Sequence, residues 1–448
     1  MKLEEISDIF PLTEHQILNC GTYEKNMGNG VYHENLIFYL SGDIDADIFR
    51  KSWEYTIQKH DIFRTGFYRM NGDWVQVVKE TISLNLECLD WSGYPSEKIT
   101  EETEKLIIND KLTPYNMEKA PLMRMFLIRT GKTEWQFIWN FHHVIMDGWA
   151  FAVSFGDMLD FYRKLMNGQT SVKINEVDRY KDYYLYRLSR EREDERKFWK
   201  KYLDGADFSE QMSEIKDDLK PDNPINHTRL DYKIPQYYER LNALMKKYGF
   251  TMNAVFQSVF TLLLYRVSGG KRDIINGQVA ADRGTELYNA NNRVGMYVNN
   301  LPLRYTVNES ESFTKMVEKV QNNILSVFGY VSSSEAEISS YVGHDGKMFN
   351  EMLVFKNIPI SADPFYGLPF SLEGSSLESN PDFDFILLIW PDENLELKYI
   401  FNNRKYRVED IRKYFYDDLK TVLDCWLAHE DCTVADIMKY TDEYREDV

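Results

Sequence analysis

The chain has 448 residues, more than a single hydrophobic core usually organises, so we expect two packed lobes. A hydrophobic fraction of 43% and an aromatic fraction of 15% favour globular cores and argue against disorder. With 53 basic and 71 acidic residues, the formal net charge is −18, so the chain repels phosphate backbones and nucleic-acid binding is not expected.

Four cysteines, Cys20, Cys88, Cys425 and Cys432, form neither a CxxC pair nor a zinc-type cluster. We interpret them as buried free thiols in a reducing cytosol. The N-terminal sequence lacks the apolar core of a signal peptide, and no apolar run approaches the ~18 residues of a membrane span. The sequence therefore predicts a cytoplasmic protein with no membrane association.

Strand and helix patterns alternate along the first part of the chain. Apolar β-type runs at 36–40, 74–78, 122–129 and 135–141 predict strands. Apolar residues at helical spacing predict two helices, one with Phe49, Trp53 and Ile57 and one with Phe151, Phe155, Met158, Leu159 and Tyr162. This alternation predicts an α/β sandwich.

Residues 180–205 carry many charges of both signs, and residues 216–226 are polar without periodicity. The first segment favours a solvated helix over a basic docking patch. We place the lobe boundary in this part of the chain, with an N-terminal lobe at 1–175, a C-terminal lobe at 176–448 and the linker within about 170–226.

The second half predicts further helices and strands of the same kind. Thr251 and Ser312 are predicted N-caps of two helices, and strands are predicted at 352–355, 383–390 and 395–401. Two lobes of similar composition predict a cleft between them, which is a common place for a ligand site.

The segment FHHVIMDGW at 141–149 carries the strongest chemical pattern. It follows an apolar run, so His142 and His143 are expected at a strand end with their side chains on opposite faces. One ring can then face the cleft while the other points into the protein. Asp147 can orient a ring or neutralise a buried cation, and Gly148 permits a tight turn or close approach of the backbone.

Three interpretations of this pattern compete. The histidines can be buried core groups with Asp147 as a helix cap, and spacing alone favours this structural interpretation. A metal site of His142, His143 and Asp147 is disfavoured, because adjacent strand residues diverge and no HxH or HExxH motif is present. In the catalytic interpretation, one neutral imidazole is a general base. The sequence contains neither a GxSxG motif nor a reactive-cysteine signature, so a covalent acyl-enzyme is not predicted.

Residues 142–148, HHVIMDG, match the HHxxxDG motif of nonribosomal peptide synthetase condensation domains and of the wider superfamily that includes chloramphenicol acetyltransferase. Six further segments resemble condensation-domain motifs in the same order: PLTEHQ at 11–16, KHDIFRTGF at 59–67, YKDY at 180–183 with FWKKYL at 198–203, and GQVAADR at 277–283 followed by VGMYVNNLPLR at 294–304. The chain thus resembles a condensation domain from about residue 10 to about residue 400.

This resemblance implies a V-shaped pseudodimer of two chloramphenicol-acetyltransferase-like α/β sandwich lobes. It implies one site per chain, at which an acceptor aminoacyl amine attacks a donor thioester and forms an amide. Both substrates would arrive on the phosphopantetheine arms of donor and acceptor carrier proteins. The chain itself would bind no cofactor and no metal, would be monomeric and would work beside adjacent synthetase domains.

The resemblance also assigns roles to individual residues. His143 would contact the attacking amine as a base, a positioning group or a charge-stabilising group, and His142, Asp147 and Gly148 would support it. Arg283 would pair with Asp147 across the lobe interface.

Trp149, Asn299 and Arg64 fall at structural or substrate-channel positions of the motifs. Asp282 stands where the family commonly has glycine and could compete with Asp147 for Arg283. No HxxxPF-like motif is recognisable around 332–343.

Other functions remain open at this point. An epimerization domain should show an EGHGR-like motif, and a heterocyclization domain would replace the histidines; neither pattern is found. Because Met1 begins the chain and no GGxS carrier segment follows, a free-standing amide- or ester-forming acyltransferase is one alternative. A non-catalytic platform that recruits carriers or other partners is the second.

Overall fold

The computed structural model describes residues 5–220, 225–284, 286–356 and 364–446, which belong to two compact units. The first unit comprises Met1–Arg190, Arg283–Tyr297 and Ile358–Asp382, and the second comprises Glu191–Asp282, Val298–Asn357 and Phe383–Val448. The division differs from a single boundary near residue 175, because two segments from the second half of the chain join the first unit.

The described residues form strands that we number in chain order: β1 (Ile6–Pro11), β2 (His33–Gly42), β3 (Thr65–Met70), β4 (Asp73–Lys79), β5 (Leu86–Asp90), β6 (Met123–Arg129), β7 (Glu134–His142), β8 (His227–Lys233), β9 (Asp273–Ala281), β10 (Val298–Thr306), β11 (Glu351–Phe355), β12 (Phe370–Ser379), β13 (Phe385–Trp390) and β14 (Glu396–Asn402).

The α-helices are α1 (Glu14–Lys25), α2 (Ala46–Lys59), α3 (Ser96–Leu112), α4 (Gly148–Met166), α5 (Tyr180–Ser189), α6 (Glu193–Tyr202), α7 (Tyr238–Tyr248), α8 (Met252–Val267), α9 (Phe313–Phe328), α10 (Glu335–Val342), α11 (Val408–Ile411), α12 (Asp418–Ala428) and α13 (Val434–Glu446). The seven strands and four helices predicted from hydrophobic pattern all fall on these elements.

The first unit is built on a five-stranded sheet in the order β12-β2-β7-β6-β5, with a smaller sheet β1-β4-β3. Strand β12 pairs antiparallel with β2 along its whole length. Its backbone hydrogen bonds are therefore made in the first unit, which explains why the segment Ile358–Asp382 belongs there although it lies late in the sequence.

Helices cover both faces of this five-stranded sheet. On one face, Phe137 and Trp139 of β7 pack their rings against Phe49 and Trp53 of α2. On the other face, Ile138 of β7 joins a buried apolar cluster that includes a residue of α3. Side chains alternate between the two faces along β7, so the strand that carries the histidine motif is the central layer of a sandwich.

The second unit contains a six-stranded sheet in the order β10-β9-β11-β13-β14-β8. Helix α8 lies in its core, and twelve of its sixteen residues are buried. The predicted caps are confirmed: the side chains of Thr251 and Ser312 accept hydrogen bonds from backbone N–H groups in the first turns of α8 and α9.

The charged segment 180–205 forms two helices, α5 and α6. Among their charged residues only Arg187 and Glu195 are buried, so the predicted solvated character is confirmed. The prediction missed the aromatic residues of the segment, of which Tyr183 of α5 and Trp199 of α6 are completely or almost completely buried. The change from one unit to the other falls between these helices, at residues 190 and 191.

All four cysteines are free, and Cys20, Cys425 and Cys432 are buried as predicted. Cys88 is exposed, contrary to the prediction, because it lies on β5 at the edge of the five-stranded sheet. Among the described residues, no helix combines the length and the apolar character that a membrane span needs.

Glu351 is a buried acid in the second unit. It begins β11 and is 1% exposed, and its Oε1 has no hydrogen-bond partner among the described residues. Burial, with the nearby charges of Asp384 and Glu210, raises the pKa of Glu351 from 4.5 to about 8. The side chain is therefore protonated in the folded protein at neutral pH.

This raised pKa makes stability fall as pH rises. Between about pH 4.5 and 8 the unfolded chain releases the proton of Glu351 and the folded chain keeps it, so the free energy of unfolding should decline by up to ~1.4 kcal/mol per pH unit. Glu351→Gln should flatten this decline in urea titrations at a series of pH values. Exposed Glu393 provides the matched control, Glu393→Gln, and equal pH dependence in the two variants would contradict the assignment.

Candidate active site

The first motif histidine lies at the end of β7. Asn140 and His142 point to the sheet face that α3 covers, whereas Trp139 and Phe141 point to the opposite face. His142 is completely buried. This is the inward-pointing histidine that strand alternation predicts.

The hydrogen bonds of His142 define its tautomer. Its Nδ1 accepts the backbone N–H of Val144 at 3.1 Å, so the ring hydrogen is on Nε2. Burial, with the neighbouring His33 and His143, lowers its pKa well below 6.5 and keeps the ring neutral. Nε2 has no hydrogen-bond partner among the described residues. His142 therefore has no means of exchanging a proton with substrate directly.

The second histidine begins a short 3₁₀ turn, His143–Ile145. The backbone N–H of His143 donates to the carbonyl of Tyr32 at 2.8 Å, and the ring Nδ1 lies 2.9 Å from the carbonyl of Met146. A carbonyl only accepts, so Nδ1 must carry the hydrogen. The ring is half-buried, and in its neutral form Nε2 presents a lone pair.

The carboxylate of Asp147 is buried and caps α4. Its Oδ1 accepts the backbone N–H groups of Trp149 and Ala150 at 3.0 and 2.7 Å, and its Oδ2 accepts that of Tyr297 at 2.9 Å. Nη2 of Arg283 lies 3.2 and 3.4 Å from the two oxygens. Asp147 therefore caps α4, as the structural interpretation predicts, and it also pairs with Arg283, as the family resemblance predicts.

Arg283 lies in the same compact unit as Asp147, so the pair does not cross the predicted lobe interface. Its Nη1 also donates to the carbonyls of Ala290 and Arg293 at 2.6 and 2.9 Å. Asp282 does not displace Asp147, because Asp282 accepts a hydrogen bond from the hydroxyl of Ser332 at 2.6 Å.

Trp149 and Tyr180 hold the segment Arg283–Tyr297 at further points. The indole Nε1 of Trp149 donates to the carbonyl of Asn291 at 2.9 Å, and the hydroxyl of Tyr180 donates to that of Met296 at 2.6 Å. A Cβ at Gly295 would lie 2.3 Å from the Tyr180 ring. This close approach is the physical reason for the glycine in the VGMYVNNLPLR motif.

Other residues predicted at the site have local structural contacts. Gly148 is the first residue of α4. Buried Arg64 donates to the carbonyls of Ile57, Lys79 and Glu80, which joins the end of α2 to the end of β4. Asn299 lies on β10 of the second unit and donates to a backbone carbonyl there at 2.8 Å.

His60 forms a buried charged network that sequence reasoning missed. Its two ring nitrogens lie 2.7 Å from Asp157 and 2.8 Å from Asp178. Burial alone would lower the pKa of His60, but the hydrogen bonds to both carboxylates raise it, so the ring is an imidazolium. Asp178 also binds Arg293 and the N–H of Val294, which fixes the segment that carries Arg283.

His15 was also missed as a residue of the site. It is half-buried, and its neighbour Gln16 donates to the carbonyl of Val144 at 3.4 Å, inside the motif turn. Burial, with the nearby His143 and Arg187, lowers the pKa of His15 to about 3. The ring is therefore neutral. Position 15 is variable in the PLSxxQ pattern, so nothing in that motif distinguished His15 from an ordinary surface residue.

The described residues contain no group of three or more His, Cys, Asp or Glu side chains that could hold a metal ion.

Comparison with known sequences gives one family over nearly the whole chain. The sequence model described as "Condensation domain" matches residues 6–448. The chain is 24% identical over 461 residues to gramicidin S synthase 2 of Brevibacillus brevis, an alignment that covers 99% of this chain and 10% of that protein. It is 23% identical over 444 residues to bacitracin synthase 3 of Bacillus licheniformis, covering 97% of this chain and 7% of that protein. The chain thus spans a tenth or less of either relative.

Solved structures show the same fold at low sequence identity. The condensation domain of the Monacolin K polyketide synthase MokA has a TM-score of 0.80 and 15% identity, covering 96% of this chain and 100% of that one. The first condensation domain of the calcium-dependent antibiotic synthetase has a TM-score of 0.77 and 19% identity, covering 96% of this chain and 98% of that one. The predicted α/β fold class is confirmed.

Asp147→Asn should act mainly on stability, because it leaves the buried guanidinium of Arg283 without its counter-charge. Breaking a buried pair typically costs ~3–5 kcal/mol. In a double-mutant cycle with Arg283→Gln, the free energies of unfolding should be non-additive by ~1–3 kcal/mol. The exposed pair Lys315–Glu318, changed to glutamine singly and together, provides the control and should be nearly additive. Additivity at Asp147 and Arg283 would show that the two are not coupled.

Proposed function

The chain belongs to the Condensation domain family, and on that premise we propose that it joins two carrier-bound acyl groups through an amide bond. The family assignment confirms the predicted condensation-domain family. In the proposed reaction, the amine of an acceptor aminoacyl thioester attacks the carbonyl of a donor thioester. A C–N bond forms, the donor C–S bond breaks, and the amine proton ends on the released thiol.

The observation that carries this proposal is the arrangement of the two motif histidines. His143 is half-buried and donates its Nδ1 hydrogen to the Met146 carbonyl, so Nε2 of the neutral ring carries a lone pair. His142 is fully buried with Nδ1 already used. Of the two rings, His143 is therefore the one suited to accept a proton or a hydrogen bond from a substrate amine.

The chemical demands on the protein are modest. Amide formation from a thioester and an amine is downhill, so holding the two tethered reactants in line can supply much of the rate. In the proposal, Nε2 of His143 accepts the hydrogen of the attacking amine and returns it to the departing sulfur. His142, Asp147, Gly148 and Arg283 hold the turn that presents His143.

We assign substrates and partners from the same premise. The matched relatives are synthetases of which this chain spans a small part. We propose that donor and acceptor carrier proteins deliver the acyl groups on phosphopantetheine arms, beside adjacent synthetase domains. No cofactor or metal is assigned to this chain. A free-standing acyltransferase would instead use substrates that are not tethered to a carrier, and a recruiting platform would form no amide.

His143→Ala should lower the single-turnover rate of amide formation between two loaded carrier proteins by about 100-fold or more, because the proton-accepting group is lost. Melting temperature should change little, since the ring is half-buried and its one hydrogen bond is to a turn carbonyl. His429→Ala, at an exposed histidine, is the control. A near-normal rate in His143→Ala would leave positioning alone as the catalytic factor.

Metal removal should have no effect. The proposed reaction uses no metal, so incubation with EDTA followed by desalting should leave both the rate of amide formation and the melting temperature unchanged. Stoichiometric zinc in the purified protein, lost together with activity, would refute this expectation.

A further inference from the structure

A chain of buried polar groups lies behind His142, on the face of the sheet that α3 covers. Strand register places His33 of β2 directly opposite His142. The ring of His33 reaches Asp110 of α3 on one side and the hydroxyl of Tyr23 of α1 on the other. His33, Asp110 and Tyr23 are all 4% exposed or less. They are not used in the reaction proposed above.

The hydrogen bonds within this series of buried polar groups follow one consistent pattern of donors and acceptors. Nδ1 of His33 lies 3.1 Å from the carbonyl of Asp110, so Nδ1 carries the hydrogen. In the neutral ring Nε2 then accepts from the Tyr23 hydroxyl at 3.3 Å, and the same hydroxyl accepts the backbone N–H of Tyr115 at 2.6 Å. No donor meets another donor, so the arrangement is consistent from end to end.

Asp110 is the end of this series of polar groups that the surrounding structure holds in place. Its carboxylate accepts hydrogen bonds from Asn35 at 3.0 Å and from Arg124 at 2.5 Å. Burial would raise the pKa of Asp110, but the hydrogen bond from His33 and the charge of Arg124 lower it. The group is therefore ionised and held from several directions, which makes it a rigid anchor.

This series of buried polar groups contacts the histidine motif at two points. The Tyr23 ring stands edge-on to the His142 ring, with centroids 4.5 Å apart and an interplanar angle of 87°. The residue before His33, Tyr32, accepts the backbone N–H of His143 at 2.8 Å. Tyr32 has φ of 62°, which a bulky residue adopts only when its surroundings impose it.

We propose that Asp110, His33 and Tyr23 form a positioning relay, which sets the ring of His142 and the turn that presents His143. The inference rests on the proposed function, because it concerns the same site. Tyr23 packs against the ring of His142, and Tyr32 accepts the N–H of His143. Asp110 holds His33, which is bonded to the Tyr23 hydroxyl and follows Tyr32 in the sequence. His142 in turn accepts the N–H of Val144 and so closes the turn that begins at His143.

Neighbouring polar groups distinguish the relay from general burial of polar side chains. Both amide atoms of Asn140 are buried on the same side of the sheet and have no hydrogen-bond partner among the described residues. The hydroxyl of Tyr23 and both ring nitrogens of His33 are paired. The buried groups of Tyr23 and His33, which lie next to the histidine motif, are thus hydrogen-bonded, whereas, within the described part of the chain, the amide of Asn140 is not.

Tyr23→Phe tests the relay with the least change, because it removes one hydroxyl and keeps the ring against His142. We expect kcat for amide formation to fall about tenfold while KM for both loaded carriers stays within twofold. Tyr406→Phe is the matched control: it also removes one buried hydroxyl, which has no partner among the described residues, but it lies in the second unit. Tyr406→Phe should keep kcat within twofold. Equal kcat in the two variants would overturn the proposal.

A spectroscopic readout separates positioning from loss of folded protein. In ¹⁵N-histidine NMR spectra of the wild type, His142 should be the Nε2–H tautomer and His143 the Nδ1–H tautomer. Tyr23→Phe should shift or broaden the resonances of both rings, and Tyr406→Phe should not. If Tyr23→Phe does not fold, Asp110→Asn is measured in its place with the same expected changes.

The outcomes of this test and of the proposed function are distinguishable. Unchanged histidine spectra in Tyr23→Phe refute the relay, even if kcat falls. A wild-type chain that forms no amide with loaded carriers refutes the proposed function, and the histidine spectra then decide the relay on their own.

Discussion

The buried carboxylate of Asp147 is the group on which the geometry of the motif depends. It accepts two backbone N–H groups at the start of α4, a third from Tyr297, and the guanidinium of Arg283. One side chain therefore starts the helix after the motif and attaches a distant segment of the chain. Backbone donors and a buried cation need a partner, so this single anion stabilises both the start of α4 and the segment that carries Arg283 and Tyr297.

The different environments of His142 and His143 follow from the backbone rather than from the two residues themselves. Strand alternation sends His142 under α3, where it is neutral and closed off, and the chain then leaves the strand in a 3₁₀ turn. That turn brings the carbonyl of Met146 back to Nδ1 of His143. Two identical side chains thus receive opposite tautomers, because one accepts at Nδ1 and the other donates there.

Local patterns could be predicted from the sequence, and long-range pairings could not. The caps Thr251 and Ser312 and the buried strand β7 depend on neighbouring residues only, and they were predicted. Strand β12 is a polar edge strand whose place is set by pairing with β2, more than 300 residues earlier. His60 and Asp178 are 118 residues apart. Nothing in either local sequence indicates that the two form one network.

The charges around the motif are arranged so that the half-exposed imidazole of His143 lies among neutral rings. Arg283 is neutralised by Asp147, and the imidazolium of His60 lies between Asp157 and Asp178. The rings of His142 and His15 have lowered pKa values and stay uncharged. A cationic ring beside His143 would oppose transfer of a proton to its Nε2, since like charges repel most strongly where water is scarce. Keeping the cations paired with buried carboxylates, and the rings of His142 and His15 neutral, therefore removes an electrostatic obstacle to the proton transfer to His143 that we propose.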